Sequence, residues 1–305
     1  LTGIDLAGQL VGAKTSGLEV GSTEVEFIPR ARQTGRFTLD VGTAGSLSLV
    51  LQAALPPAIL SPEPVNLSLR GGTDVKWSPP VDYLRHVFGH LLRKLGPVID
   101  IRMKRRGHYP KGGGLVECAV TPVGLLKPID LVEFGKLTTV NGISHCVRLP
   151  RHVAERQADA ASKTIRQVTG IEPNLDVESY QKDGDPHLGP GSGVVLWGDS
   201  DTGARLGADS LGERGVRAEE VGKKAANQLI QEIGANRAVD SHLSDMLIPY
   251  LAVADGRSRI GVTKVTSHLI TNIWTVERIL GMRIDLTGEV GKPGVVSVHG
   301  ERLSL

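Results

Sequence analysis

The chain has 305 residues, 40% of them hydrophobic and 22% charged, with a formal net charge of +2. That balance excludes a disordered chain and a non-specific nucleic-acid coat, and at roughly 150 residues per domain the length suggests about two domains. The longest apolar stretch, 47–60, is interrupted by Ser48, Gln52, Pro56 and Pro57, so no run of about 18 apolar residues is available to span a membrane.

Two cysteines, Cys118 and Cys146, cannot staple a chain of this size, and a reduced, cytoplasmic setting is expected. Neither CxxC nor HExxH occurs, which removes support for a structural zinc or zincin site. The opening residues show no charged region ahead of an apolar one, and no signal peptide is expected. With aromatic residues at 4%, an extensive base-stacking platform is not expected.

In chain order, residues 17–30 read as a hairpin. Gly21-Ser22 separates Leu18-Glu19-Val20 from Val25–Ile28, and both flanks alternate apolar and charged residues. Phe37–Val41 alternates again, Gly42-Thr43-Ala44-Gly45 turns, and Ser46–Leu55 has helical spacing until Pro56-Pro57. The pattern recurs with a strand at Val65–Arg70, a turn at Gly71–Asp74 and a helix over Pro80–Leu95. One face of that helix carries Tyr83, Val87, Leu91 and Leu95. Ile99–Met103 and Leu115–Val120 read as strands joined by Lys104–Gly114.

Past Phe134 the texture changes. Lys136–Val147 reads as strands, Val153–Val168 as a helix, Lys182–Ser192 as a polar loop and Gly193–Gly198 as a short strand. Glu219–Ile233 is an amphipathic helix with Glu219-Glu220 near its positive end. Ser241–Val253 and Asn272–Leu280 read as helices, and Ile260–Thr266, Ile284–Gly288 and Val295–His299 as strands. Strand–helix units repeated along the chain predict an α/β (α+β) fold. The large, repeat-built domain comprises 1–134 plus 238–305, and a smaller α/β domain, 135–237, is inserted into it.

Several segments could carry chemistry. His268 follows a β-branched strand and precedes Thr271-Asn272, both good N-cap residues. Amides at such a helix start favour phosphate, and an imidazole there can attack phosphorus. The same local sequence also fits a half-buried histidine bonded to a backbone carbonyl. In Asp240-Ser241-His242-Leu243-Ser244-Asp245, Asp240 or Ser241 can cap the helix, leaving Asp245 about one turn in. That carboxylate either orients a catalytic histidine or is simply solvated.

The loop Lys104–Gly114 groups Lys104, Arg105, Arg106 and Lys111 with Gly112-Gly113-Gly114. It offers charge and close backbone approach to phosphate, or it is a solvated basic hairpin. Trp77-Ser78-Pro79-Pro80 could flank a planar ring or only start a helix. Arg148, Arg151, His152 and Arg156 could meet an RNA backbone or form a solvated face. Gly184–Gly193 reads as a flexible loop.

Taken in order, these segments resemble the RNA 3′-terminal phosphate cyclase family over nearly the whole chain. The carriers are Gly42–Ser46 with Gln52, Gly71–Asp74 through Pro79-Pro80, Gly107–Gly114, Pro150–Arg156, His242–Asp245 and Ser267–Ile273. The resemblance implies a large domain of repeated α/β units with an inserted small domain. It implies that His268 attacks the α-phosphorus of ATP, expels pyrophosphate and forms a covalent His–AMP. AMP then passes to an RNA 3′-phosphate to give RNA–pp–A. The 2′-hydroxyl closes a 2′,3′-cyclic phosphate and releases AMP, with Mg²⁺ or Mn²⁺ assisting.

By the same resemblance Asp245 lies near the nucleophile, Pro80 packs on adenine with His242 on the other face, and Gln52 belongs to the nucleotide site. Arg105, Arg106 and Lys111 are candidates for the RNA or triphosphate path. The implied enzyme is a cytoplasmic nucleotidyl-transferring ligase of RNA processing, without a membrane partner, and a homodimer is left open. The alternative is a non-catalytic, RNA-binding relative acting in ribosome assembly, whose kind lacks the nucleophilic histidine. A third reading, an enolpyruvyl-transferring enzyme, rests on fold analogy alone. The family opens with a glycine-rich segment carrying Glu and Gln, then an arginine-bearing one. Leu1 falls where that chain is already under way, so residues are expected to precede it. Met246 stands where the family often has Gln.

Overall fold

The structure, a computed structural model, describes residues 1–301. Contacts divide the chain into two compact units. One comprises Leu1–Val81 with Gly96–Gly124, and the other Asp82–Leu95 with the chain from Leu125 onward. The expected insert, 135–237, falls wholly within the second.

The first unit begins with helix α1 (Thr2–Leu10) and a two-stranded sheet of β1 (Lys14–Ser16) and β2 (Glu26–Ile28). The hairpin predicted at 17–30 is therefore displaced. Gly17 and Gly21 both adopt positive φ and leave Val20 91% exposed, so Leu18–Val20 lies in the connection and Lys14–Ser16 does the pairing. A four-stranded sheet follows, ordered β3-β4-β6-β5, from β3 (Gly35–Asp40), β4 (Val65–Gly71), β5 (Val98–Arg105) and β6 (Gly114–Thr121). The β3–β4 pair is parallel and the other pairs are antiparallel.

Helix α2 (Leu47–Ile59) connects β3 to β4, capped by Ser46, whose hydroxyl accepts from Leu49 N. It does not stop at Pro56-Pro57 as expected. Both prolines sit in its last turn, where Leu60 N still reaches Pro56 O. The buried side chains Leu47, Leu51, Leu55 and Ile59 hold that turn on the core, and tertiary packing overrides the proline penalty.

In the second unit, helix α3 runs over 81–94 with a π turn at Leu84–Phe88. The predicted stripe Tyr83, Val87, Leu91, Leu95 is fully buried. A sheet ordered β11-β10-β8-β9 contains β8 (Leu137–Val147), β9 (Asn174–Ser179), β10 (Gly191–Ser200) and β11 (Arg205–Leu211). Strands β9 and β11 went unread in the sequence, and β10 is longer than the predicted 193–198. Strand β9 does alternate but offers only Leu175 and Val177 as apolar residues, and β11 is interrupted by Gly207. Helices α4 (His152–Thr169) and α5 (Ala218–Gly234) belong with this sheet. They cross so closely that a side chain at Gly222 would collide with Gln157 O.

The last sheet is ordered β13-β14-β12-β7, from β7 (Asp130–Leu131), β12 (Gly256–Val262), β13 (Ile284–Thr287) and β14 (Gly294–Gly300). Helices α6 (Leu243–Ala252) and α7 (Ser267–Leu280) complete it. Its senses, β7–β12 parallel with β12–β14 and β13–β14 antiparallel, repeat those of β3-β4-β6-β5. The supersecondary unit predicted from sequence thus recurs, its first crossover lengthened by β8–β11 and α4–α5. Among the described residues no helix is long and apolar enough to cross a membrane.

Candidate active site

In the second unit the candidate nucleophile sits on α7. The helix starts five residues earlier than predicted. Thr266, not Thr271 or Asn272, is the cap, and its hydroxyl accepts from Leu269 N at 3.0 Å. Thr271 and Asn272 instead bond back to the carbonyls of Ser267 and His268. His268 is therefore an exposed residue of the first turn, where amide hydrogens lacking intrahelical acceptors favour a phosphate.

Asp245 lies in the first turn of α6, half-buried. Burial raises its carboxyl above the usual carboxylate range. A helix-terminal amide and the His268 and His242 imidazoles pull it back down. Helix α7, which carries His268, packs against α6.

The start of α6 is fixed by Asp240, one of the two caps the sequence offered. Its buried Oδ1 accepts from His242 N and Leu243 N, both at 3.0 Å, and from the Tyr83 hydroxyl at 2.5 Å. Its Oδ2 accepts from Gly207 N at 2.9 Å. Burial, then Asp240, raises the Tyr83 hydroxyl well above its ordinary value, so it stays a donor. Exposed His242 meets the Tyr83 ring edge-on at 6.1 Å between centroids, and its Nε2 is 3.5 Å from Gln228 Nε2. Next to it Ser241 donates to Glu232 at 2.6 Å, a carboxyl that burial and then Asp240 raise. Sequence reasoning placed Tyr83 only on an apolar stripe and missed Gly207. The available signal was that a tyrosine on a fully buried face needs a partner for its hydroxyl.

In the first unit, three glycine-rich loops converge at one end of the β3-β4-β6-β5 sheet. Gly72 N donates to Gly45 O and Leu47 N to Gly72 O, both at 2.8 Å, joining the Gly42–Ser46 turn to the loop after β4. Thr73 N donates to Gly107 O at 2.8 Å, and Gly107 N donates to Thr73 Oγ1 at 2.8 Å, adding the β5–β6 loop. The loops pack too tightly for side chains. A Cβ at Gly72 would strike Ala44 O, and at Gly112 (φ +58°) it would lie 2.6 Å from Thr43 O. Pro80 is buried beyond this cluster. Gln52, on α2, has its Nε2 buried with no acceptor among the described residues.

The three cations meant for phosphate differ. Lys111 is exposed. Arg105 Nε is tied to Gly113 O at 2.7 Å. Arg106 is only 1% exposed, with Nη1 3.4 Å from the equally buried Asp74 carboxylate. Its charge is matched inside the fold, because the loop turns its stem inward, so Arg106 does not present a free cation. In the other basic cluster Arg156 pairs with Glu219 at 2.8 Å and Arg151 with Glu155 at 2.7 Å, while Arg148 donates its backbone N–H to Asp185 Oδ2 and its side-chain Nε–H to His187 O.

A family model described as RNA 3′-terminal phosphate cyclase matches residues 1–286. Curated proteins carrying that same name align along the chain. One from Methanopyrus kandleri is 50% identical over 301 residues, 99% of this chain and 86% of its own length. One from Staphylothermus marinus is 48% identical over 306 residues, covering 100% and 86%. One from Ignicoccus hospitalis is 47% identical over 301 residues, covering 98% and 85%.

Proposed function

Because the chain belongs to the RNA 3′-terminal phosphate cyclase family, we propose that it is a ligase that uses ATP to convert an RNA 3′-phosphate to a 2′,3′-cyclic phosphate, through His268. The observation that carries this reading is an exposed imidazole in the first turn of a capped helix that packs against α6, whose own first turn carries the half-buried Asp245.

A ring nitrogen of His268 attacks the α-phosphorus of ATP. The bond to the β-phosphate oxygen breaks, and pyrophosphate leaves. Asp245 stabilises the cationic ring that results. An oxygen of the RNA 3′-phosphate next displaces the imidazole, giving RNA–pp–A. The 2′-hydroxyl oxygen then attacks the RNA phosphorus, its proton is lost, and AMP departs. AMP is a far better leaving group than a bare phosphate oxygen, which is why closure needs ATP.

Helix-terminal amides beside His268 suit the phosphate charge. The orphaned Gln52 amide fits a polar group of the nucleotide, since a buried donor without an acceptor is costly unless a ligand supplies one. Pro80 and His242 are assigned to the adenine faces. Bound with the triphosphate, Mg²⁺ or Mn²⁺ would supply screening of its charge. Lys111 and Arg105 are assigned to the RNA or triphosphate path. Two free, buried cysteines suit a cytoplasmic setting, and a homodimer is left to sedimentation measurements.

Incubation with α-labelled ATP should leave acid-labile AMP on the protein, with labelling lost in His268→Ala. Equal labelling of that variant would remove His268 from its role. RNA binding without any AMP transfer would select the ribosome-assembly relative instead.

A further inference from the structure

We propose that Trp77 and Tyr109, on two joined loops of the first unit, form a stacking platform for the terminal bases of the RNA 3′ end, with Lys111 on the adjoining sugar–phosphate chain. The inference deepens the RNA-acting reading above and rests on it for the choice of RNA.

Trp77 is 97% exposed and Tyr109 78% exposed. Large rings normally supply core area, and here Tyr83, Phe88, Phe134, Trp197 and Tyr250 do so. Trp77 also holds φ at +65°, a conformation costly for a bulky side chain and one concentrated at functional sites. The fold thus keeps the largest side chain it has in water, on a backbone that disfavours it.

The two rings belong to one neighbourhood. Asp74 pairs with His108 in a parallel bridge, and Asp74 N donates to Gly107 O at 3.2 Å. Tyr109 is the residue after that bridge, and Trp77 lies three residues past it. At about 3.5 Å per residue, their α-carbons fall within roughly 20 Å of each other, a span that a few single-stranded nucleotides cover. Lys111 is exposed on the Tyr109 loop and Lys76 is exposed beside Trp77. Flat π-surfaces interleaved with cations match an unpaired polyanion whose monomers are flat rings. Recognition of this kind ignores base identity, because every base has a stackable face, and so suits an enzyme that acts on ends.

The test uses the intact chain without ATP and a short single-stranded RNA bearing a 3′-phosphate. Titration should quench tryptophan emission. Trp77→Phe should abolish most of that quench, whereas Trp274→Phe should keep it. Trp77→Ala and Tyr109→Ala should each weaken the RNA Kd about tenfold by anisotropy. Trp77→Gly accepts the positive φ, so it should fold at least as well as the native chain, by melting, and still lose the affinity. Inorganic polyphosphate should bind without the quench. Retention of the native Kd within twofold in Trp77→Gly and Tyr109→Ala would overturn the platform, as would an equal quench by polyphosphate. Native protein that binds RNA through these rings yet takes no AMP would leave the platform standing and remove the cyclase reading. Native protein that takes AMP but ignores these substitutions would do the reverse.

Discussion

Removing one oxygen atom tests how the second unit holds its site together. Tyr83→Phe deletes the fully buried hydroxyl that donates to Asp240 Oδ1 at 2.5 Å. The carboxylate keeps His242 N, Leu243 N and Gly207 N, so it is weakened rather than orphaned. The loss is then the net worth of one hydrogen bond to a charged acceptor, about 2 kcal/mol. In calorimetry this should lower Tm by roughly 4–8 °C. Asp240→Asn makes the complementary change. Its remaining oxygen serves best at the Oδ1 position, where Tyr83, His242 and Leu243 converge, which turns the new amide against Gly207 N–H. A double-mutant cycle between Tyr83→Phe and Asp240→Asn should therefore show coupling above 0.5 kcal/mol. If Tyr83→Phe melts within 0.5 kcal/mol of the native chain and the cycle shows no coupling, the view that this carboxylate pins α3, β11 and the start of α6 is wrong.

Asp245→Asn should lower AMP transfer while leaving Tm at pH 7 equal or higher. Its folded carboxyl is raised by burial, so in the native chain stability is full below the unfolded carboxylate value of about pH 4 and is lost as pH climbs through the folded value. Melting against pH should show that drop in the native protein and not in the variant. Gln52→Met should keep or raise Tm, because it removes a buried amide nitrogen without an acceptor, yet weaken ATP binding in equilibrium dialysis. Lys111→Ala should reduce the salt slope of RNA binding by about 0.7, the contribution of one phosphate contact on a single strand. Arg106→Met should leave that slope unchanged and instead destabilise the fold by about 3–5 kcal/mol, since it breaks a buried ion pair with Asp74. We further propose that 135–237 is a domain in its own right, in which case limited proteolysis of the intact chain should cut near 134 and 237 first; early cuts inside β8–β11 would argue against it.

Local chemistry alone made much of this protein legible. Glycine turns, alternating strands and helical stripes gave β3, α2, β4, α5 and β14 nearly in place, because each pattern depends on neighbours a few residues away. The ordered motifs from Gly42 to Ile273 gave the family, and with it the residues proposed for chemistry. Boundaries governed by distant packing were not legible. Helix α2 runs through Pro56-Pro57 because its apolar side chains are buried. The start of α7 was misplaced for a local reason: Thr266, Thr271 and Asn272 all suit an N-cap, and it is the Thr266 hydroxyl that accepts from Leu269 N.

The partnerships that set the site were decided only by tertiary structure. Tyr83 and Asp240 lie 157 positions apart in the chain, and no periodicity links them. Arg105, Arg106 and Lys111 read alike as a basic run, but folding turned Arg106 inward to Asp74 and left Lys111 in solvent. Charge can be counted from a sequence. Whether water or a buried carboxylate answers that charge depends on where the backbone points the side chain, and in this loop contacts with Thr73 and Ala44 set that direction.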